Sequence, residues 1–144
     1  MQKRTTLIFF VLIMILLAGC TAGQTEQDPK SLVNQFYSEL LVYIGTPGQG
    51  EFHNPMSEYA YRSNPYLSPS FIKELDLLME KEEGLVYDPL LCAQDVPQYL
   101  TASEAAVEGE EAVVLMTSNF PEQRFTVHLQ HSEKGWLIDT IDCR

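Results

Sequence analysis

Basic residues are scarce in this chain: nine Lys and Arg stand against twenty Asp and Glu over 144 positions, a formal net charge of −11. A field of that sign repels phosphate backbones and anionic lipid headgroups, which argues against nucleic acid as a partner and is compatible with cationic ones. Histidine and cysteine number three each, and neither shows the spacing of a zinc site. His128 and His131 look close, but residues three apart on a strand point to opposite faces, and His53 is remote in a loop. No metal ligand set is expected. No serine sits in a Gly-x-Ser-x-Gly elbow, and Gly45, Gly48 and Gly50 have no strand before them and no Gly-Lys-Ser/Thr after them. These absences exclude the commonest forms of serine catalysis and phosphate cradling, and no cofactor is expected. Internal repeats and low-complexity segments are lacking too.

What is present starts at the N-terminus. Lys3 and Arg4 precede an uncharged stretch from Leu7 to Leu17, and the small residues Ala18 and Gly19 lead to Cys20. These are the charged, apolar and cleavage regions of a secretory signal, and the apolar run falls short of the roughly 20 residues of a spanning helix. Leu17-Ala18-Gly19-Cys20 resembles the bacterial lipobox, in which the peptide is cut just before the cysteine and the cysteine sulfur receives a diacylglyceryl group. The resemblance implies a signal peptide over residues 1–19, a lipidated Cys20 opening a flexible tether over 20–28, and a single domain over 29–144. An ordinary cleaved signal or an uncleaved anchor is the alternative. Two or three acyl chains, at about 0.8 kcal/mol for each inserted CH₂, hold a protein to a bilayer where one chain is marginal. Thr21 stands where enterobacterial lipoproteins retained at the inner membrane carry aspartate, so the expected location is the extracytoplasmic side of the cell envelope, with the outer membrane open to it. Loss of the leader removes two basic residues and no acid, taking the formal charge from −11 to −13.

With Cys20 assigned to lipid, Cys92 and Cys143 remain as an even pair in an oxidising compartment. A Cys92–Cys143 disulfide is expected, worth about 4 kcal/mol in the chain-entropy model, with two buried thiols as the alternative. Asp28 and Pro29 form an N-cap and first position, Gly45 is a stop, and Val33, Phe36, Tyr37, Leu40, Leu41 and Ile44 recur at helical spacing between them. Thr46 to Tyr66 is a proline-broken loop or short-helix region whose Phe52, Tyr59, Tyr61 and Tyr66 clamp it to the core or form a binding lip. Ser68-Pro69 opens a second helix, with an apolar stripe of Phe71, Ile72, Leu75, Leu78 and Met79 ending before Gly84. Strand periodicity then predicts Tyr99–Val107, Glu111–Asn119, Phe125–Ser132 and Trp136–Cys143. Helices followed by a strand meander indicate an α+β fold, with N-terminal helices on an antiparallel sheet of about four strands.

Chemistry is concentrated in Tyr87 to Pro97 and in the last strand. Asp88 and Asp95 suit Asx turns or caps. Alternatively, Asp95 and Asp139 are pocket carboxylates whose burial raises a pKa toward general acid/base use. Tyr66-Leu67-Ser68-Pro69, Asp88-Pro89-Leu90-Leu91-Cys92-Ala93-Gln94-Asp95 and Gly135-Trp136-Leu137-Ile138-Asp139 resemble the domain-of-unknown-function 3828 family of small exported bacterial proteins, over about Ser31 to Cys143. That family is placed with the nuclear transport factor 2-like (cystatin-like) cone folds. The resemblance implies a curved sheet wrapped around the first helix with a pocket between them. In that superfamily the pocket serves isomerases, dehydratases and cyclases, and equally non-catalytic binding; none of its catalytic motifs matches here at a definite position. The expected function is therefore a non-enzymatic, membrane-anchored lipoprotein that binds a small ligand or another envelope protein. The alternatives are a small isomerase or hydrolase-like enzyme using Asp95 or Asp139 with a tyrosine donor, and an exported immunity or inhibitor protein. An interior filled by Phe36, Leu40, Phe71, Val127 and Ile138 excludes catalysis inside the cone.

Overall fold

The computed structural model describes residues 27–46, 49–81 and 85–143. The leader, Cys20, tether residues up to 26 and Gly84 lie outside the described residues. Helix α1 (Pro29–Ile44) starts on local chemistry: the Asp28 side chain accepts the Ser31 amide at 3.1 Å, and Pro29 occupies the first turn, where a missing N–H removes no helix bond. Hydrogen bonding from Ser31 holds the Asp28 carboxyl below its ordinary value. The helix stops at Gly45, whose φ is 78° and whose amide reaches back to the Leu41 carbonyl at 3.1 Å. A Cβ at Gly45 would stand 2.8 Å from the Glu51 carbonyl oxygen, so a side chain there would force the backbone apart.

A short 3₁₀ turn (Ala60–Ser63) leads to helix α2 (Pro69–Met79), which repeats the device at its start: Ser68 Oγ accepts the Phe71 amide at 3.0 Å. Tyr61 Oη and Arg62 Nε donate to one oxygen of Asp76, at 2.6 and 2.8 Å, fastening the turn to α2. Strands β1 (Leu100–Glu108), β2 (Glu111–Ser118), β3 (Arg124–Ser132) and β4 (Gly135–Asp142) form an antiparallel sheet in chain order, open rather than closed into a barrel. Two helices packed on this sheet make the fold α+β.

One sheet face is buried because alternate residues are apolar. Ala112, Val114 and Met116 on β2 pack beside Phe125, Val127 and Leu129 on β3, under α1. Phe36, Leu40, Phe71, Val127 and Ile138 all belong to one buried cluster. Each large apolar side chain buried there contributes about 1.5–3 kcal/mol. These side chains occupy the space between sheet and helix that the family resemblance implies as a pocket. Both sheet edges are met by the chain's own groups. On β1, beside a bulge between Ala102 and Glu104, Asn34 Oδ1 accepts the Ala102 amide and Lys30 Nζ donates to the Ser103 carbonyl, each at 2.9 Å. On β4, the Ile138 amide donates to the Tyr66 carbonyl and the Ser68 amide to the Ile138 carbonyl, each at 2.8 Å, with Leu67 bridged in parallel to Ile138. Among the described residues no helix is long and apolar enough to cross a membrane.

Candidate functional site

A cleft of about 310 Å³ opens where α1 ends, walled on one side by residues 52–56 and on the other by residues 85–96. The first wall is built by Asn54, whose Oδ1 accepts the amides of Met56 and Ser57 at 3.0 and 2.9 Å, and by Glu58, which accepts the Asn54 amide at 3.0 Å. Glu58 also accepts the Tyr43 hydroxyl at 2.7 Å and faces His53 Nδ1 at 3.1 Å. The Tyr43 hydroxyl, then the Asn54 amide, hold the Glu58 carboxyl below its ordinary value. The His53 amide donates to the Ile44 carbonyl at 3.1 Å, so this wall continues directly from the end of α1.

The second wall is a tight turn organised by Asp88. Its Oδ1 accepts the amides of Leu90 at 2.7 Å and Leu91 at 3.2 Å, while its backbone pairs with Cys92 and Ala93. Leu90 and Leu91 are buried, and the wholly buried Tyr37 donates its hydroxyl to the Leu90 carbonyl at 3.0 Å. Cys92 sits at φ 53°, a left-handed conformation that costs a non-glycine residue about 1–2 kcal/mol. Two restraints hold it there. A disulfide joins Cys92 to Cys143, with Cα atoms 5.2 Å apart, and Gln123 Nε2 donates to the Leu91 and Cys92 carbonyls at 3.0 and 3.2 Å.

Burial pushes the Asp88 carboxyl above its ordinary value, opposed by the Leu90 and Leu91 amides. The Tyr37 hydroxyl is pushed up by burial first and by the negative charge of Asp88 second. Around the mouth stand Phe52, Leu85, Val86 and Tyr87, exposed at 50, 39, 78 and 46%. A second hollow of about 270 Å³ lies between Glu39, Tyr43, Tyr61 and Leu90.

The two carboxylates singled out from the sequence do not meet in either hollow. Asp139 Oδ1 accepts the hydroxyls of Ser68 and Ser70, each at 2.6 Å, and so sits at the start of α2. Asp95 is exposed and lines neither hollow. Asp88 forms the Asx turn that its position before Pro89 suggests, and in addition lines the cleft. His128 Nε2 lies 3.2 Å from Thr126 Oγ1, while the His131 ring stacks edgewise on Trp136, so the two histidines serve different neighbourhoods. Among the described residues no three His, Cys, Asp or Glu stand close enough to hold a metal ion. Compared with known protein families, characterised proteins and solved structures, the chain matches none.

Proposed function

We propose that this chain is an envelope lipoprotein, anchored through acylated Cys20, whose single domain is a non-catalytic binding module related to the domain-of-unknown-function 3828 family. The observation that carries the binding part is the cleft between residues 52–56 and 85–96, with Phe52, Leu85, Val86 and Tyr87 exposed around its mouth. Apolar side chains left in water around a concave, disulfide-braced site fit a surface kept for a ligand or partner. The buried cluster of Phe36, Leu40, Phe71, Val127 and Ile138 between sheet and helices supports the same reading, because it puts packed apolar side chains where the family resemblance implies a pocket. The leader supports anchoring, through the order of its basic, apolar and small residues ahead of Cys20.

Two measurements test the two halves. Metabolic labelling with an alkyne-tagged palmitate should mark the protein in its native host, and Cys20→Ser should abolish the mark; persistent labelling of that variant would sink the anchor. A small-molecule fragment screen, read by methyl NMR of the full chain, should place its hits at Met56 on the cleft wall. Hits confined to surfaces remote from Met56 would end the binding assignment.

A further inference from the structure

We propose that the cleft takes an organic cation, an ammonium group on a small apolar body, with its charged head on Asp88 and its body against Phe52, Tyr87 and Met56. This rests on the reading of the cleft as a binding site and specifies the chemistry of what it binds.

The backbone around residue 88 needs an acceptor, not a charge. Asp88 Oδ1 takes the Leu90 and Leu91 amides, and an asparagine carbonyl could take the same two bonds without placing an ion in a partly buried position. Burial here works against the ionised form, so a carboxylate is the less favourable choice for the fold alone.

Among the described residues no cationic side chain pairs with this carboxylate. Neither the His53–Glu58 pair nor the Arg62–Asp76 pair includes Asp88. His53, the basic side chain that shares the cleft, has its Nδ1 turned to Glu58. No described donor stands on Asp88 Oδ2, and no buried side-chain oxygen among the described residues lacks a partner, so Oδ2 keeps some solvent access on a residue that lines the cleft. A ligand ammonium would supply the missing charge and a charge-assisted hydrogen bond.

The rest of the cleft suits the rest of such a ligand. Phe52 and Tyr87 present aromatic rings at the mouth, and ring faces attract ammonium groups. At about 310 Å³ the space is at the small end of organic-ligand sites. A net charge of −11 draws cations toward the whole surface and repels anions. A neutral apolar ligand would gain from the walls while stripping water from an uncompensated carboxylate, so it should bind less well.

The test uses the full chain in nanodiscs of zwitterionic lipid, with methionine methyls labelled so that Met56 reports on the cleft. The probes are n-butylammonium, n-butyltrimethylammonium, n-butanol and butyrate, which share one apolar body and differ in charge. The ammonium probes should bind about tenfold or more tighter than butanol, with butyrate weakest. Asp88→Asn, which keeps the acceptor, should erase that preference by weakening the ammonium probes and strengthening butanol, which no longer strips water from a charge. Tyr87→Ala, which touches neither amide bond of Asp88, should weaken the ammonium probes more than butanol. Equal binding of butanol and the ammonium probes to the wild type overturns the cation assignment while the cleft stands as a binding site. Failure of all four probes to shift Met56 overturns the binding reading itself and this inference with it.

Discussion

Asp88 occupies a place where its charge opposes folding, and the sign of that effect can be measured. Burial raises its carboxyl above the ordinary value of 3.8, so the folded chain holds that proton more tightly than the unfolded chain does. Its contribution is therefore most favourable in acid and declines as pH rises from 3.8 through the raised value. Asp28, Glu58 and Asp76, whose carboxyls are lowered by hydrogen bonds, act oppositely, adding stability above their ordinary values that is lost as pH falls. They are common to wild type and Asp88→Asn, and cancel in the comparison. Urea unfolding should show the two proteins alike near about pH 3 and Asp88→Asn the more stable near about pH 7. A gap that widens toward acid would contradict this account. The Asx turn itself is readable from Asp88-Pro89, because it is a local matter of two amides and one carboxylate. The burial of that carboxylate is not, since it depends on distant segments packing against the turn, among them Tyr37 of α1, which bonds the Leu90 carbonyl from some fifty positions earlier in the chain.

At the scale of elements, the start of α2 is the joint between helix and sheet. Ser68 Oγ accepts the Phe71 amide and donates toward Asp139, while the Ser68 amide reaches the Ile138 carbonyl. Ser68→Ala removes the cap and one Asp139 partner at once, and should cost about 1–2 kcal/mol by urea unfolding. Asp139→Ala should cost less alone. The double variant should depart from additivity by about 0.5 kcal/mol or more, and strictly additive losses would show that the two side chains are not coupled. Both helix starts were legible as Asp28-Pro29 and Ser68-Pro69, and the strands as alternations such as Phe125, Val127 and Leu129. These signals depend on neighbours within four residues. Pairing of Leu67 with Ile138 spans some seventy positions and left no periodic trace, so the true setting of Asp139 was out of reach.

For the whole molecule, the disulfide links the cleft to the end of the sheet. Cys143 follows β4 and Cys92 closes the Asp88 turn, so the covalent bond joins a rigid element to the wall that carries the carboxylate. Replacing both cysteines by serine should lower stability by up to about 4 kcal/mol. Cys92, left at φ 53° without its tie, should also relax. Hydrogen exchange should therefore rise more in residues 85–96 than in β2 and β3, and a uniform rise would show that the bond steadies the domain without favouring the cleft.

The straps across the sheet edges bear on crowding. Under the proposed lipid anchoring, the chain would be confined to a plane and meet its own copies at high local density, where two bare strand edges can zip together. Asn34 and Lys30 cover β1 at Ala102 and Ser103, and Tyr66 to Ser68 cover β4 at Ile138. What β1 leaves uncovered runs from Glu104 to Glu108, whose exposed carboxylates would face identical carboxylates on a neighbour. Copies packed side by side along this part of β1 would thus repel one another.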